Sequence, residues 1–267
     1  MGLEKPSEGK ISIFRENKSL SNKEVKKIIS LVPQDTAFFK DFSVEKNIAF
    51  FGSLYGVKGK KGKERVNFLL KWLGLEEFKN TKSDFLSGGY QRLLNIAISL
   101  VHDPEIIFLD EPTVGLDPKM RQLFRNKIEE LKSLGKTIII TTHYMDEAEH
   151  LCSRVALLKK GKLLALGIPR ELIKQHGGIK VVIFEIKGEL DPKDLEFIRK
   201  SLRLESVVFN KGMLFIPFEQ EKSVEKVTFV AEWLLGRGYS VLSSTTKEPN
   251  LEDVFLQLTG ESSKSSE

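Results

Sequence analysis

The segment Glu105–Pro112, EIIFLDEP, decides the fold. Four consecutive apolar residues, Ile106 to Leu109, end in two acids and a proline. A short unbroken apolar run is the pattern of a buried strand in a parallel sheet. Its carboxyl end projects Asp110 and Glu111, and open α/β sheets bind ligands at that end. A second run, TIIITTH at 137–143, also reads as a buried strand and delivers His143 to its end. Between the two lie the turn TVGLDP and an amphipathic helix, MRQLFRNKIEELKSLG, closed by Gly135. Strands alternating with helices predict an α/β domain with a mostly parallel sheet.

Upstream, LSGGYQ (86–91) sets Ser87, Gly88 and Gly89 immediately before a helix bearing Leu93, Ile96, Ala97 and Leu100. Such a start offers free backbone N–H groups and the positive end of the helix dipole, an anion site. An ordinary glycine turn with a serine cap is the alternative. Further upstream, IISLVPQD is an apolar run broken by Pro33, with Gln34 just beyond. Ser43 is the candidate N-cap of a helix with Val44, Ile48, Phe51 and Leu54 at helical spacing. GVKGKKGKE (56–64) reads as a solvated Gly/Lys loop, followed by a helix from Val66 to Leu73. Near the amino end, KISIFRENKSLS reads as a strand around Ile11 and Ile13 that ends in a polar turn.

Downstream, MDEAEHLC reads as a helix and RVALLKKGKLLALG as two strands. From about residue 178 the order becomes β-α-β-β-α-β, the split βαβ or ferredoxin-like pattern, with Asp191 and Pro192 opening its first helix. NLEDVFLQLTG adds a terminal helix, and residues 261–267 read as a frayed tail. Expected boundaries are 1–172 for the first domain, with a helical subdomain at about 35–102, and 178–260 for the second.

Composition narrows the class. Charged residues are 30% of the 267 and no apolar run approaches a spanning helix, which needs about 20 residues. The charged amino terminus has no signal-peptide core, and the single cysteine, Cys152, suits a reducing compartment. A net charge of +5 is weak ground for nucleic-acid binding.

The acids, the histidine and the glycine turn occur in a specific order with Gln34 and GLDP. Gln34 in LVPQD, then LSGGYQ, EIIFLDEP, GLDP and TIIITTH resemble the Q-loop, signature motif, Walker B, D-loop and H-loop of the ATP-binding cassette (ABC) ATPases. The resemblance covers roughly residues 1–172. It implies a P-loop NTPase-like sheet with a helical subdomain, lacking its amino-terminal strands, plus the ferredoxin-like domain. YMDEAE and the ending EPNLEDVFLQLTG resemble the exporter branch linked to drug and antibiotic resistance or sodium efflux. The resemblance implies a cytoplasmic subunit that pairs with a second ABC ATPase, as homo- or heterodimer, and drives a separate membrane permease, with no nucleic acid involved. ATP and Mg²⁺ are the implied cofactors. Asp110 would hold Mg²⁺ through water, Glu111 would polarise the attacking water, and His143 would contact the γ-phosphate. Gln34 would sense Mg²⁺ and relay to the permease. Ser87, Gly88 and Gly89, with Tyr90 and Gln91 beside them, would clasp ATP held by the opposite subunit, and Asp117 would cross the dimer contact. Tyr90 stands where many members carry glutamine.

The phosphate-cradling pattern G-x-x-x-x-G-K-[ST] is not found in the 267 residues. The nearest approach, Gly135-Lys136-Thr137, has Glu130 at the first glycine position and joins a helix to a strand, the reverse of the required order. LEKPSEGKI resembles the stretch just after a P-loop helix, so Met1 reads as an internal methionine of a longer gene. The expectation is that this polypeptide alone neither binds ATP tightly nor hydrolyses it. Several charged hydrogen bonds of roughly 1.5–3 kcal/mol each are missing, and two carboxylates repel the phosphates. The implied P-loop strand would lie beside TIIITTH, and its absence would leave an open sheet edge. Two other functions remain at this stage: a non-catalytic partner donating LSGGYQ to an intact ATPase, and a soluble cassette ATPase not involved in transport. Phe38, Phe39, Phe42, Phe50 and Phe51 are expected to pack in the core of the helical subdomain, a permease-receiving groove being the alternative.

Overall fold

The structure, a computed structural model, describes residues 6–9, 11, 13–15, 18–19, 22–218 and 223–259. The chain divides into two compact units, Met1–Tyr144 and Met145–Glu267.

In the first unit, β1 (Phe14–Arg15) and β2 (Lys18–Ser19) form a small antiparallel hairpin. The strand expected at Ile11 and Ile13 is thus displaced to Phe14–Arg15. Much of LEKPSEGKI, and Lys10, Ser12, Glu16, Asn17, Leu20 and Ser21 of the next stretch, lie outside the described residues, as does the 261–267 tail. Helix α1 (Asn22–Ile28) leads directly into β3 (Ile29–Val32), whose Ile29 and Val32 are buried.

Helix α2 (Val44–Leu54) starts where expected, the Ser43 hydroxyl accepting from the Lys46 N–H at 3.2 Å. Its apolar stripe is narrower than the sequence suggests, because Leu54 is exposed and only Val44 and Ile48 of the four are buried. Helix α3 (Gly59–Trp72) corrects the reading of 56–64 as a loop. Residues 59–64 form its first turns, with the lysines exposed and Gly62 buried against Val57. A Cβ on Gly62 would stand 3.0 Å from the Val57 carbonyl, so that glycine allows the helix start to pack closely. Two short 3₁₀ turns, Glu76–Phe78 and Ser83–Phe85, precede α4 (Gly88–Leu100).

Three strands form the parallel sheet in the order β3-β4-β5, with β4 at Ile106–Asp110 and β5 at Thr137–Thr141. Helix α5 (Pro118–Ser133) is the crossover between β4 and β5. Ile107 and Leu109 are buried, and with Leu93, Leu94 and Ala97 of α4 and Phe124 and Ile128 of α5 they form the core beside the strands. Each of the larger side chains stabilises by roughly 1.5–3 kcal/mol relative to exposure. The reading of TIIITTH as a buried strand is corrected in one respect. It is a strand, but none of Thr137–Thr141 is buried and Ile139 is 44% exposed. Among the described residues β5 pairs only with β4, so its far edge carries no ladder.

In the second unit, α6 (Met145–Leu151) precedes the antiparallel hairpin of β6 (Val155–Lys159) and β7 (Lys162–Gly167). Helix α7 (Pro169–His176) supplies Leu172 to a small core with Val155 and Leu157. Then follow β8 (Lys180–Ile186), α8 (Pro192–Leu202), β9 (Val208–Asn210), β10 (Met213–Phe218), α9 (Ser223–Gly236) and β11 (Val241–Lys247). These four strands form an antiparallel sheet in the order β11-β8-β10-β9, as the ferredoxin-like reading requires. Val182, Phe184, Ile186, Leu214 and Ile216 pack against Ile198 and Leu202 of α8 and Val230 and Leu234 of α9. Asp191 caps α8, accepting from the Lys193 N–H at 2.8 Å. Helix α10 (Leu251–Thr259) closes the small core with Leu251 and Val254.

Candidate functional site at the carboxyl ends of the strands

Parallel register brings the chemical groups of the first unit together. Asp110 ends β4 opposite Thr141, the last residue of β5, and His143 follows two residues later. The Thr141 hydroxyl donates to the Asp110 carboxylate, fixing one of its oxygens. Glu111 adopts a left-handed backbone conformation, φ 42°, which is uncommon and costly for a side chain of this kind. The turn is held because the Glu111 N–H donates to the Thr141 carbonyl at 3.0 Å. His143 Nδ1 lies 2.9 Å from Glu111 Oε2, so the histidine is placed on the glutamate. The His143 ring is 61% exposed and the Glu111 side chain 22%. One face of this pair is therefore open to an incoming molecule.

The glycine turn also takes a defined form. Ser87 is the N-cap of α4, but its side chain makes no capping hydrogen bond and is exposed. A Cβ on Gly88 would meet nothing within 4 Å, whereas one on Gly89 would stand 2.9 Å from Met120 Cγ. Gly89 is needed for packing within the chain, and Gly88 is not. Gln91 turns back, its amide donating to the Leu86 carbonyl at 3.1 Å, and Tyr90 packs on the Phe78 ring. Asp117 caps α5, accepting from the Met120 N–H at 2.9 Å, with Pro118 in the first turn.

Gln34 is exposed just past the carboxyl end of β3, and its backbone is tied to the acids by a residue the sequence reading missed. Arg92, 7% exposed, donates through its guanidinium to the carbonyls of Pro33, Gln34 (3.1 Å), Asp110 (2.7 Å) and Pro112 (2.9 Å). Burial pushes its pKa down, the Asp110 charge opposing this, and an arginine stays charged regardless. Asn95, Asn47 and Thr141 were missed as well. The available signal was the placing of Arg92 and Asn95 among the apolar residues of α4, since buried polar groups need partners.

Asn47 is fully buried and organises a neighbouring surface. It accepts from the Phe39 N–H and donates to the Phe39 carbonyl and the Ser83 hydroxyl, each at 2.9 Å. Above it Phe39, Phe42, Phe50 and Phe51 pack ring on ring with centroids 5.0–6.0 Å apart. The core-packing expectation for these phenylalanines is corrected. None of Phe38, Phe39, Phe42, Phe50 and Phe51 is buried, and Phe39 and Phe50 are 46% and 37% exposed, with Leu54 and Tyr55 beside them at 66% and 50%.

The acids suit a hard cation, since Mg²⁺ is commonly held by one or two carboxylates together with water and phosphate oxygens. Among the described residues no three His, Cys, Asp or Glu side chains cluster to hold a metal by themselves. Oxygens from water or a nucleotide would complete such a site. The cationic half of a triphosphate pocket is not supplied by Gly135-Lys136-Thr137. Lys136 lies at the amino end of β5, opposite His143, and its Nζ is 2.9 Å from Asp103.

A profile of the ABC transporter family matches residues 1–114. The Nod factor export ATP-binding protein I of Rhizobium sp. (strain N33) is 35% identical over 260 residues, 97% of this chain and 82% of the relative. The linearmycin resistance ATP-binding protein LnrL of Bacillus subtilis (strain 168) is 32% identical over 237 residues, 89% and 76% of the two chains. Among solved structures, cbiO1 from Clostridium perfringens, part of the ABC transporter complex cbiONQ, aligns with a TM-score of 0.56 at 32% identity, covering 76% of each chain. The ATP-binding subunit of another ABC transporter aligns with a TM-score of 0.57 at 24% identity, covering 66% of this chain and 73% of its own, a likeness of fold.

Proposed function

We propose, since the chain belongs to the ABC transporter family of ATP-binding subunits, that it serves an export system and couples nucleotide turnover to a separate membrane permease. Members of this family bind ATP with Mg²⁺. The observation that carries the reading is the convergence of Asp110, Glu111 and His143 at the carboxyl ends of β4 and β5, with Gln34 tied to them through Arg92. The names of the relatives, Nod factor export and linearmycin resistance, support the export direction. Asp110 would face Mg²⁺, Glu111 would orient the attacking water, and His143, which lies 2.9 Å from Glu111, would face the terminal phosphate. The exposed phenylalanine cluster around Phe39 and Phe50 receives a permease loop, which places the subunit at the cytoplasmic face of the membrane. Among the described residues no helix is long and apolar enough to cross a membrane.

The 267-residue chain by itself is proposed to be inactive. Its sequence holds no G-x-x-x-x-G-K-[ST], and several charged hydrogen bonds to phosphate, each about 1.5–3 kcal/mol, are therefore not available. The open edge of β5, with Ile139 half exposed, is where the P-loop strand is proposed to pair. An ATPase assay on the purified chain should give only background. Turnover that Glu111→Gln removes would sink this part of the proposal.

A second reading is favoured by one observation. The Ser87 side chain makes no capping hydrogen bond and Gly88 faces open space, so the signature turn is free to meet a phosphate although the 267 residues hold no G-x-x-x-x-G-K-[ST]. In that reading it completes the site of an intact ATPase beside it. Titrating the chain into such a cassette should raise the partner's turnover, and Ser87→Arg should remove the gain. An unchanged effect of Ser87→Arg excludes the donor role.

A further inference from the structure

Among the described residues strand β3 is the other edge of the parallel sheet, and side chains meet its outer carbonyls. The carbonyls of Ile29, Leu31 and Pro33, two residues apart, all meet α4 or the residues just after it. His102 Nε2 lies 3.1 Å from the Ile29 carbonyl, Ser99 donates to Leu31 at 2.9 Å, and Arg92 donates to Pro33. Asn95 extends the series past the strand, donating to the Asp35 carbonyl at 3.2 Å and accepting from the Ala37 N–H at 3.1 Å. Positions 92, 95, 99 and 102 form one stripe at helical spacing. Such a stripe satisfies an edge that would otherwise invite another strand.

The upper two members do more than cover an edge. Arg92 also holds the carbonyls of Asp110 and Pro112, so one planar fork spans the Gln34 loop, the end of β4 and the helix that begins at Gly88. A lysine cannot replace it, because a single ammonium lacks the five donors in fixed geometry. We propose that Arg92 and Asn95 are positioning residues that make the Ser87–Gly89 turn, the Gln34 loop and the Asp110–Glu111 turn move as one body. A phosphate seated on the turn then shifts Gln34 and the acids together; this coupling rests on the reading of Ser87–Gly89 as a phosphate clasp.

Hydrogen–deuterium exchange on the full chain tests the rigid body without nucleotide. Asn95→Ala should speed exchange of the Ala37 amide about tenfold, the effect of losing one net hydrogen bond, with the amides of α2 and α3 unchanged. Arg92→Lys should speed exchange in segments 34–37 and 111–114 together. Unchanged exchange in those segments overturns the proposal, and so does an equal rise throughout the first unit, which would mark a role in stability alone. If Arg92→Lys does not fold, Asn95→Ala decides. With an intact cassette present, Arg92→Lys should lower the partner's kcat severalfold at constant KM for ATP. A constant kcat there, in a chain where Ser87→Arg does abolish stimulation, removes the coupling. Failure of Ser87→Arg itself refutes the clasp instead and leaves the exchange result standing.

Discussion

Replacing Asn47 with alanine should be among the most damaging single changes in the first unit. The side chain is fully buried and makes three hydrogen bonds of 2.9 Å, to the Phe39 N–H, the Phe39 carbonyl and the Ser83 hydroxyl. Each is worth about 0.5–1.5 kcal/mol net, so the loss should be about 3 kcal/mol. The backbone groups of Phe39 are left to find water, which the ring cluster above them hinders. For a unit of this size roughly 2–4 °C accompanies each kcal/mol, which predicts a fall in Tm of about 9 °C. Trp72 and Trp233 lie in different units, so a Trp233→Phe background lets Trp72 fluorescence report on the first unit alone. Urea titration in that background gives the free energy directly. A loss under about 1 kcal/mol would refute the claim that Asn47 anchors this loop. The same substitution should weaken retention of a permease, because Phe39 loses its support. Phe50→Glu should weaken retention with little loss of stability, since Phe50 is already partly exposed.

Three further outcomes are expected. Gly88→Ala should leave thermal stability within about 0.5 kcal/mol, because its Cβ meets nothing, yet should reduce stimulation of an intact partner ATPase. Asp117→Ala should cost about 1 kcal/mol in chemical denaturation through loss of the α5 cap, and Asp117→Asn much less. Stability of the first unit should fall as pH drops below about 6.5, the unperturbed histidine value. Burial holds the His102 pKa down, with the Arg65 and Lys136 charges in the same direction and the Ile29 carbonyl and Asp103 opposing. A depressed histidine pKa means the unfolded chain takes up the proton first, so the stability present above the unfolded value is lost on acidification toward the folded value. His102→Phe, which keeps the stack on Tyr55, should flatten the urea midpoint between pH 7 and 5.

Much of the architecture was legible because its signals are local. EIIFLDEP, the Ser43 and Asp191 caps and the glycine-closed helices all appear where the residues place them. The β-α-β-β-α-β order predicted the ferredoxin-like sheet, since short turns leave few topologies. GVKGKKGKE misled because glycine and lysine suggest a loop, whereas packing of Gly62 on Val57 stabilises a helix there. The phenylalanines misled because apolar character does not say which rings are covered. Asp110, Glu111 and His143 were legible as strand-end residues, but Thr141, Arg92 and Asn95 were not. Their roles depend on partners 18 to 60 positions away in the chain.

The sequence by itself determined the kinds of elements, their order and the chemistry available at each strand end, because these follow from periodicity, capping and side-chain type. Only the tertiary structure decided that His143 sits on Glu111 and that one guanidinium joins the Gln34 loop to the acids. Those facts are set by which backbone carbonyls and strand edges remain unpaired once the chain has packed, a quantity no stretch of residues carries alone.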